Sequence, residues 1–482
     1  MPAISGQEYI DRINRLNAEI WIEGKRVEGN ISDHPIFSGI IKSQSKLYDL
    51  QLETDKANIM TFTSPTTGNK VGTSFLVPKT KEDLHLRRLM VQEWARTSAG
   101  MLGRSPDYMN TVLMAFTEAA DVFQDSDRPF AQNLRNFFDE AMENDYSLTH
   151  TFINPQVNRS QAYLENMDQI ISAQTIKSNE EGIVVKGARL LATQGGITDE
   201  ILVFPTPSSM INSDFAYAFS IPSNTPGLKF LCRESFNYKK SSFNHPLSSH
   251  FDENDTVVVF DDVTVPWERV FCYQNPKAAY SIFDESSFYP LAVHQVTARR
   301  IIKTEFILGV AQMIVDTINV GDYQHIKQKI SEIIVGLESL KALICASEVN
   351  AQLDKWGTMT PDFNSLSAAI LLYSRMYPRY CEIIQQIGAS GLVTIPGEED
   401  FSSEIGNDLE IYLQAANANG VERVKLFRLA WDISMSSFGT RQMQYERFFF
   451  GDPIRLECNL YQSYNKEGYI DFVNKFFKGL GD

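Results

Sequence analysis

The period of the apolar residues changes twice along this chain of 482 residues, and that double change constrains the fold more than any single motif. Up to about residue 148 the pattern is helical. Ser5-Gly-Gln-Glu8 reads as a capping box, with Ile10, Ile13, Leu16 and Ile20 on one helical face behind it. Thr80 to about Ala99 predicts a helix. Ser105-Pro106 starts another, with serine as N-cap and proline at the first helical position, and a further helix runs from about Pro129 to Asn144. Hairpins are expected over Ile20–Gly29, turning at Glu23-Gly24, and around Thr66–Asn69. From about Thr149 to Tyr273 short β-type runs take over, such as Gly182–Gly187, Glu200–Phe204 and Thr256–Phe260, separated by turns at Gly195-Gly196 and Pro222–Gly227. From about Ala278 the helical period returns through Ile301–Val320, Ile326–Leu353, Leu366–Ile387 and Val424–Ser436. The expected order is a mainly helical domain over 1–148, an antiparallel β domain over 149–277, and a helical bundle with a tail over 278–482.

Composition narrows the class. Apolar residues are 43% and charged residues 22%, ordinary for a globular protein. A net charge of −16 argues against nucleic-acid binding, which needs clustered Lys and Arg. No apolar run reaches the ~20 residues of a membrane span, and Met1–Tyr9 does not read as a secretion signal. The expected location is the cytoplasm, with no membrane partner. The five cysteines, Cys232, Cys272, Cys345, Cys381 and Cys458, are scattered without a C-x-x-C, so they are expected to be reduced, mostly buried and not metal ligands.

The familiar catalytic motifs are missing. There is no G-x-G-x-x-G after a strand, no Walker-type loop, no H-E-x-x-H, no G-x-S-x-G and no EF-hand loop. That counts against a hydrolase, a kinase and a dehydrogenase that holds its own nicotinamide. The chemistry-bearing candidates lie instead in Gly103-Arg-Ser-Pro-Asp-Tyr108 and in the segment beginning at His150. Arg104 precedes an N-cap, and Tyr108 sits at the third position of the helix. A helix N-terminus carries about half a positive charge, to which Arg104 adds a full one, so the place suits an anion or an ionising phenol. The plain alternative is a surface ion pair and a core tyrosine. His150 stands at a domain junction, where it is either a proton acceptor or a structural histidine. Gln156 and Arg159 could hold a phosphate or a ring edge, and Leu191–Thr198, with Thr193, is a small-residue turn that a flat ring could approach. Gln386 to Gly391 and Tyr445 to Pro453 are either cofactor contacts or helix ends packed in the bundle.

Taken together, Gly103–Tyr108, Thr149–Ser160, Gly187–Thr193, Phe260–Val270 and Tyr445–Pro453 resemble the oxygenase component of two-component flavin monooxygenases, the 4-hydroxyphenylacetate 3-hydroxylase family, over essentially the whole chain. The resemblance implies an α+β, acyl-CoA dehydrogenase-like fold with an N-terminal helical domain, a middle antiparallel β-barrel and a C-terminal four-helix bundle, assembled as a homotetramer. It implies reduced FAD, or FMN, delivered by a separate NAD(P)H:flavin reductase. With O2 this gives a flavin C4a-hydroperoxide that hydroxylates a phenolic acid at the ortho carbon. The expected substrate is 4-hydroxyphenylacetate, with a chlorophenol or nitrophenol as alternative. By the same resemblance Arg104, Tyr108 and His150 surround the phenol hydroxyl, and Pro205 and Thr206 meet the acidic tail. Members of the family often carry small hydroxyl residues at both of those positions, so Pro205 is a departure. The flavin contacts expected are His150, Thr151, Phe152, Gln156, Val157, Asn158, Arg159, Thr193, Gln386, Gly391, Phe449, Phe450, Gly451 and Asp452, and no metal is expected.

Three other readings compete. Tyr445-Glu446 resembles the base-bearing pair of acyl-CoA dehydrogenases, which would make Glu446 a proton-abstracting base, although Arg447 stands where that family usually has Gly. A 4-hydroxybutyryl-CoA dehydratase would need cysteines near Arg104–Tyr108, and the chain has none there. A catalytically silent helical scaffold would leave the motifs unexplained.

Overall fold

Ten strands and twelve helices carry the architecture that positions the site. The computed structural model describes residues 2–157, 169–205, 212–237 and 241–479. Asn158, Arg159 and Thr206 lie outside the described residues.

The N-terminal stretch follows the capping signals. Helix α1 (Gly6–Leu16) begins at Ser5, which makes the expected reciprocal capping box with Glu8. Helices α2 (Ser38–Gln51), α3 (Lys81–Thr97), α4 (Pro106–Glu118) and α5 (Phe130–Asn144) follow. Thr80 caps α3 through Asp83, and α4 opens at Ser105-Pro106 as expected. Both hairpins form. Strands β1 (Ile20–Ile22) and β2 (Lys25–Arg26) turn through Glu23 and Gly24, both at positive φ, and a second small hairpin pairs Thr61–Thr63 with Lys70–Gly72.

The middle region contains β3 (Leu148–Thr151), β4 (Gln174–Ser178), β5 (Gly182–Thr193), β6 (Glu200–Val203), β7 (Tyr217–Pro222), β8 (Leu228–Cys232), β9 (Asp255–Pro266) and β10 (Val270–Tyr273). Here the expectation of one antiparallel barrel fails. The described strands form two sheets, ordered β2-β1-β8-β9-β5-β4 and β10-β7-β6-β3, and no closed barrel is found among them. Two pairings are parallel, β1 with β8 and β3 with β6. The reason lies in the connections. The β1–β2 hairpin comes from the helical segment and adds to the edge of the larger sheet, and β3 reaches the smaller sheet straight from α5. In β9 the buried positions alternate as Thr256, Val258 and Phe260, then shift to Val263 and Val265. The shift falls on Asp261-Asp262, where the register with β5 slips and Asp262 takes a positive φ.

Four long helices follow: α6 (Phe288–Thr317), α7 (Gln324–Val349), α8 (Phe363–Gly388) and α9 (Gly420–Ser434). Helix α10 (Ser437–Phe448) packs on α8 and α9, and α11 (Pro453–Ser463) and α12 (Glu467–Gly479) complete the chain. One continuous apolar core runs through the helices and both sheets. The cysteines differ from expectation. Cys272 and Cys381 are buried and Cys232 partly so, but Cys345 and Cys458 are exposed on helices; all five are free. Among the described residues no helix is long and apolar enough to cross a membrane, and no cluster of potential metal ligands occurs.

Candidate active site

The segment between α3 and α4 carries Arg104, and its backbone is gripped from several elements. Arg299 Nη1 of α6 donates to the Gly100 carbonyl at 2.8 Å, and Gln442 Nε2 of α10 donates to the Met101 carbonyl at 3.0 Å. The buried carboxylate of Glu253 accepts from the Gly103 amide at 2.7 Å and the Arg104 amide at 2.6 Å. Gln44 and Gln194 both donate to the Arg104 carbonyl, at 3.0 and 3.1 Å. Gly103 is needed for a close approach, since a Cβ there would stand 2.6 Å from the Tyr445 hydroxyl. A segment whose polar groups are taken up this fully holds its side chain in one place.

That side chain is buried, with a relative exposure of 8%. Its guanidinium lies 4.5 Å from the Tyr108 ring centre and 4.8 Å from that of Phe449. Nη1 donates to the Tyr445 hydroxyl at 3.0 Å and to the Gly103 carbonyl at 3.1 Å, whereas Nε has no partner. Among the described residues no carboxylate pairs with this guanidinium. His150, in β3, faces Tyr108 with ring centres 5.9 Å apart and Phe152 at 4.3 Å. Burial, then the Arg104 charge, holds the His150 imidazole well below its ordinary value, so the ring is neutral, and its Nδ1 is buried without a partner. Burial pushes the Tyr108 hydroxyl up, offset only in part by Arg104, so it stays protonated. Arg104, Tyr108, His150, Phe152 and Phe449 therefore form one cluster of a cation, a phenol, a neutral imidazole and apolar rings.

The remaining candidates divide. Phe450 packs on Phe449 at 4.7 Å and turns toward Val293, Leu366 and Ile370. Gly451 takes a φ of 118°, and Asp452 caps α11 through the Ile454 amide. Thr151 and Thr193 use their hydroxyls internally, on the Leu190 carbonyl and on Asp255. Gln156 and Val157 are exposed on the strand exit beyond Phe152. Pro205 is buried beside Phe204, whose ring meets Phe152. Gln386 and Gly391 are not brought to the cluster in this chain: Gln386 is exposed and bonded to Glu382, and Gly391 packs against Phe427.

Sequence reasoning missed Glu253, Gln44, Gln194 and Arg441. Asp252-Glu253-Asn254 looks like a solvated turn, yet Glu253 is fully buried, and Arg441 holds Asp255 with two bonds at 2.8 and 2.7 Å. It also missed the state of Glu446. Arg299, Arg300 and Lys303 all bind that carboxylate, at 2.8, 2.9 and 2.9 Å. Burial alone would raise it, but those cations hold it well below the carboxylate range, the wrong direction for a proton-abstracting base.

Comparison with known proteins gives the family. Models for the 4-hydroxyphenylacetate 3-hydroxylase N-terminal and C-terminal regions match residues 5–272 and 279–478. The chain belongs to the 4-hydroxyphenylacetate 3-hydroxylase family. It is 55% identical to a probable 4-hydroxyphenylacetate 3-monooxygenase of Bacillus subtilis (strain 168), covering 99% of both chains. It is 48% identical to the oxygenase component of 4-hydroxyphenylacetate 3-monooxygenase from Geobacillus sp. (strain PA-9), covering 99% of this chain and 97% of that one. A crystal structure of such an oxygenase component with FAD and 4-hydroxyphenylacetate superimposes with a TM-score of 0.93 at 43% identity, covering 99% of this chain and 98% of that one. An archaeal 4-hydroxybutyryl-CoA dehydratase shares the fold at a TM-score of 0.88 and 20% identity.

Proposed function

We propose that this member of the 4-hydroxyphenylacetate 3-hydroxylase family is the oxygenase component of a two-component monooxygenase, and that it hydroxylates 4-hydroxyphenylacetate ortho to its hydroxyl. The observation that carries the reading is the buried Arg104 guanidinium, with no carboxylate partner among the described residues, beside His150, whose buried Nδ1 has no partner, and the ring of Tyr108. A cation in that setting is a ready counter-ion for a phenolate.

The residues also fit a flavin. Phe152, Tyr108 and Phe449 bring aromatic rings beside His150 and Arg104, and the unpartnered Arg104 Nε adds a donor, a combination that suits a flat ring with a polar edge. Phe152 and Phe449 would hold it, with Gln156 and Val157 at the exposed exit and Thr193, Gly451 and Asp452 supporting the neighbouring backbone. Reduced FAD together with O2 supplies an electrophilic oxygen atom when bound. Arg104 and Tyr108 donate to the substrate's phenolic oxygen, and His150 Nδ1 accepts its proton. The imidazole becomes cationic only next to the phenolate it has made, so the charge it gains is paired. Electron density then rises at the ortho carbon, and the aromatic wall keeps water out.

Pro205 and Thr206 are proposed to meet the substrate's acid group, with Pro205 offering only its backbone carbonyl and ring. The chain is proposed to be acyl-CoA dehydrogenase-like, divided near residues 148 and 277, with α6–α9 as its four-helix bundle. It is proposed to work as a cytoplasmic homotetramer served by an NAD(P)H:flavin reductase. Helices α11 and α12 contain no buried residue, and Phe472, Phe476 and Phe477 are exposed, an apolar face that a second copy would cover. Gln386 and Gly391 would then contact flavin across subunits.

The test is a coupled assay of the protein with a generic flavin reductase, NADH, FAD, O2 and 4-hydroxyphenylacetate, with the product read by mass. The 3,4-dihydroxy acid should form only when every component is present. Peroxide without hydroxylated product across several phenols would reject the reading, as would turnover with NADH and no reductase.

A further inference from the structure

Tyr445-Glu446 is a sequence motif that the proposed chemistry leaves unused. Its two side chains go separate ways. Glu446 is consumed by Arg299, Arg300 and Lys303. Tyr445 points to the other side of α10, where its hydroxyl accepts from Arg104 Nη1 at 3.0 Å and lies 3.3 Å from the Gly103 carbonyl, to which it donates. Its ring lies against Phe449, with centres 4.8 Å apart, and it is flanked by Arg299 and Arg441, each with its guanidinium carbon 5.6 Å from the ring centre. The approach is close enough that a Cβ on Gly103 would push the Tyr445 ring out of place. Tyr445 is thus a rigid strut. Its backbone is anchored next to the most heavily paired carboxylate in the described structure, and its tip fixes the Arg104 side chain.

We propose that Tyr445 is a positioning residue for hydroxylation: its hydroxyl, by holding Nη1, turns the other guanidinium N–H groups of Arg104 toward the phenolic oxygen of the substrate. The physical need is specific. An arginine side chain has several rotatable bonds, and a guanidinium tied only to a carbonyl of its own segment can swing across the faces of Tyr108 and Phe449 without losing cation–π contact. A second, distant hydrogen-bond partner removes that freedom. Burial raises the Tyr445 hydroxyl above its ordinary value, with Arg104 and Arg299 opposing, so the group remains a neutral acceptor and does not itself neutralise Arg104. The inference rests on the phenol-hydroxylase reading and adds to it a residue that touches neither reacting carbon nor oxygen.

The experiment titrates a coloured phenol, 4-nitrophenol, bound to the full chain with oxidised FAD present, where nothing turns over. Absorbance of the phenolate gives the pH at which the bound phenol is half ionised. Wild type should lower that midpoint relative to free 4-nitrophenol. If wild type binds neither 4-nitrophenol nor 4-hydroxyphenylacetate, or binds 4-nitrophenol and leaves the midpoint unchanged, the phenol-hydroxylase reading itself fails. Tyr445→Phe keeps the ring on Phe449 and removes only the hydroxyl. Its midpoint should rise toward the free value by on the order of one pH unit, a tenfold loss of phenolate at fixed pH. In an Arg104→Lys background the same change should move the midpoint no further. A Tyr445→Phe midpoint equal to or below that of wild type, or an undiminished shift in the Arg104→Lys background, would overturn the proposal. Replacing Tyr445 with 3-fluorotyrosine covers the case in which Y445F fails to fold. The isosteric residue is a weaker acceptor and should raise the midpoint part of the way, and no change at all would equally count against it.

Discussion

Adjacent residues of α10 lead to two buried charges, Arg104, which Tyr445 contacts, and Glu446 itself, and the two are treated in opposite ways. Arg104 has rings, a hydroxyl and a carbonyl around its guanidinium. Glu446 has Arg299, Arg300 and Lys303, a surplus of positive charge with almost no exposure to solvent. Both arrangements carry a desolvation penalty. The difference is where the compensation comes from. At Glu446 it is already present in the chain, so nothing is left for a ligand. At Arg104 no carboxylate among the described residues supplies it, and under the proposed function an arriving phenolate would complete the ion pair. The lesson is that burial and charge do not by themselves mark a reactive group; an unfilled valence of hydrogen bonding and charge does. This counts against Glu446 as an acyl-CoA dehydrogenase-type base, and it is the reason Arg104 is proposed as a substrate contact.

The largest effect should come from breaking the filled cluster. Glu446→Ala strands three buried cations, and the expected loss of stability is about 3–5 kcal/mol. A clear fall in the denaturant midpoint would be the readout. A midpoint within error of wild type would show that the cations relax to water, and the contrast with Arg104 would collapse. Next comes Arg104→Ala. Coupled formation of catechol should drop about 10²–10³-fold, roughly 3–4 kcal/mol of transition-state stabilisation, while the fold persists, because the Glu253, Gln44 and Gln194 bonds go to backbone atoms that alanine retains. Unchanged catechol yield would remove Arg104 from the site.

How far the sequence alone reveals this contrast can be followed residue by residue. Ser5-Glu8, Thr80 and Ser105-Pro106 act over one helical turn, so their helices were readable directly. Glu23-Gly24 and Gly68 encode their turns locally as well. The two-sheet arrangement was not readable, because the pairing of Ile20 with Phe230 joins residues far apart in the chain and no local signal records it. The same holds within the site. The Gly103–Tyr108 and His150 segments stood out as unusual combinations of residue types. Glu253 did not, because a carboxylate in a turn is ordinarily solvated, and only the fold places it under two backbone amides. Nor could the spacing of Arg299, Arg300 and Lys303 on α6 announce that all three converge on Glu446, since their partner comes from another helix.

Glu200 sharpens the comparison as an intermediate case. This β6 carboxylate is buried like Glu446 but has one cation, Arg269 at 3.3 Å, and the Ser220 hydroxyl. Burial outweighs them and pushes it up to about 7 from 4.5. The sign follows from linkage. The folded chain holds this proton more tightly than the unfolded chain, so the associated stability is complete below pH 4.5 and is lost as pH rises toward about 7. Glu200→Gln should therefore flatten that part of the stability–pH curve by on the order of 2–3 kcal/mol. Denaturant midpoints at several pH values would measure it. A wild-type slope that persists in the variant would assign the proton elsewhere, with Asp145, raised to about 6 chiefly by burial, the next group to replace.

The finest test lies inside the unfilled cluster. His150 is neutral because burial and the Arg104 charge both oppose its protonation, and its Nδ1 is unpartnered. If it receives the phenol's proton, His150→Ala leaves Arg104 and Tyr108 in place and still admits substrate, but the phenol is held with its ionisation incomplete and its ring less well aimed. Oxygen activation should then continue while transfer to carbon lags. The expected change is about a tenfold fall in the ratio of catechol to peroxide, equivalent to about 1.4 kcal/mol between the two fates. Peroxide and product measured in the same reaction give the ratio directly. A variant that stays tightly coupled would show that Arg104 and Tyr108 ionise the phenol by themselves, and His150 would pass from the reacting cluster to the wall that encloses it.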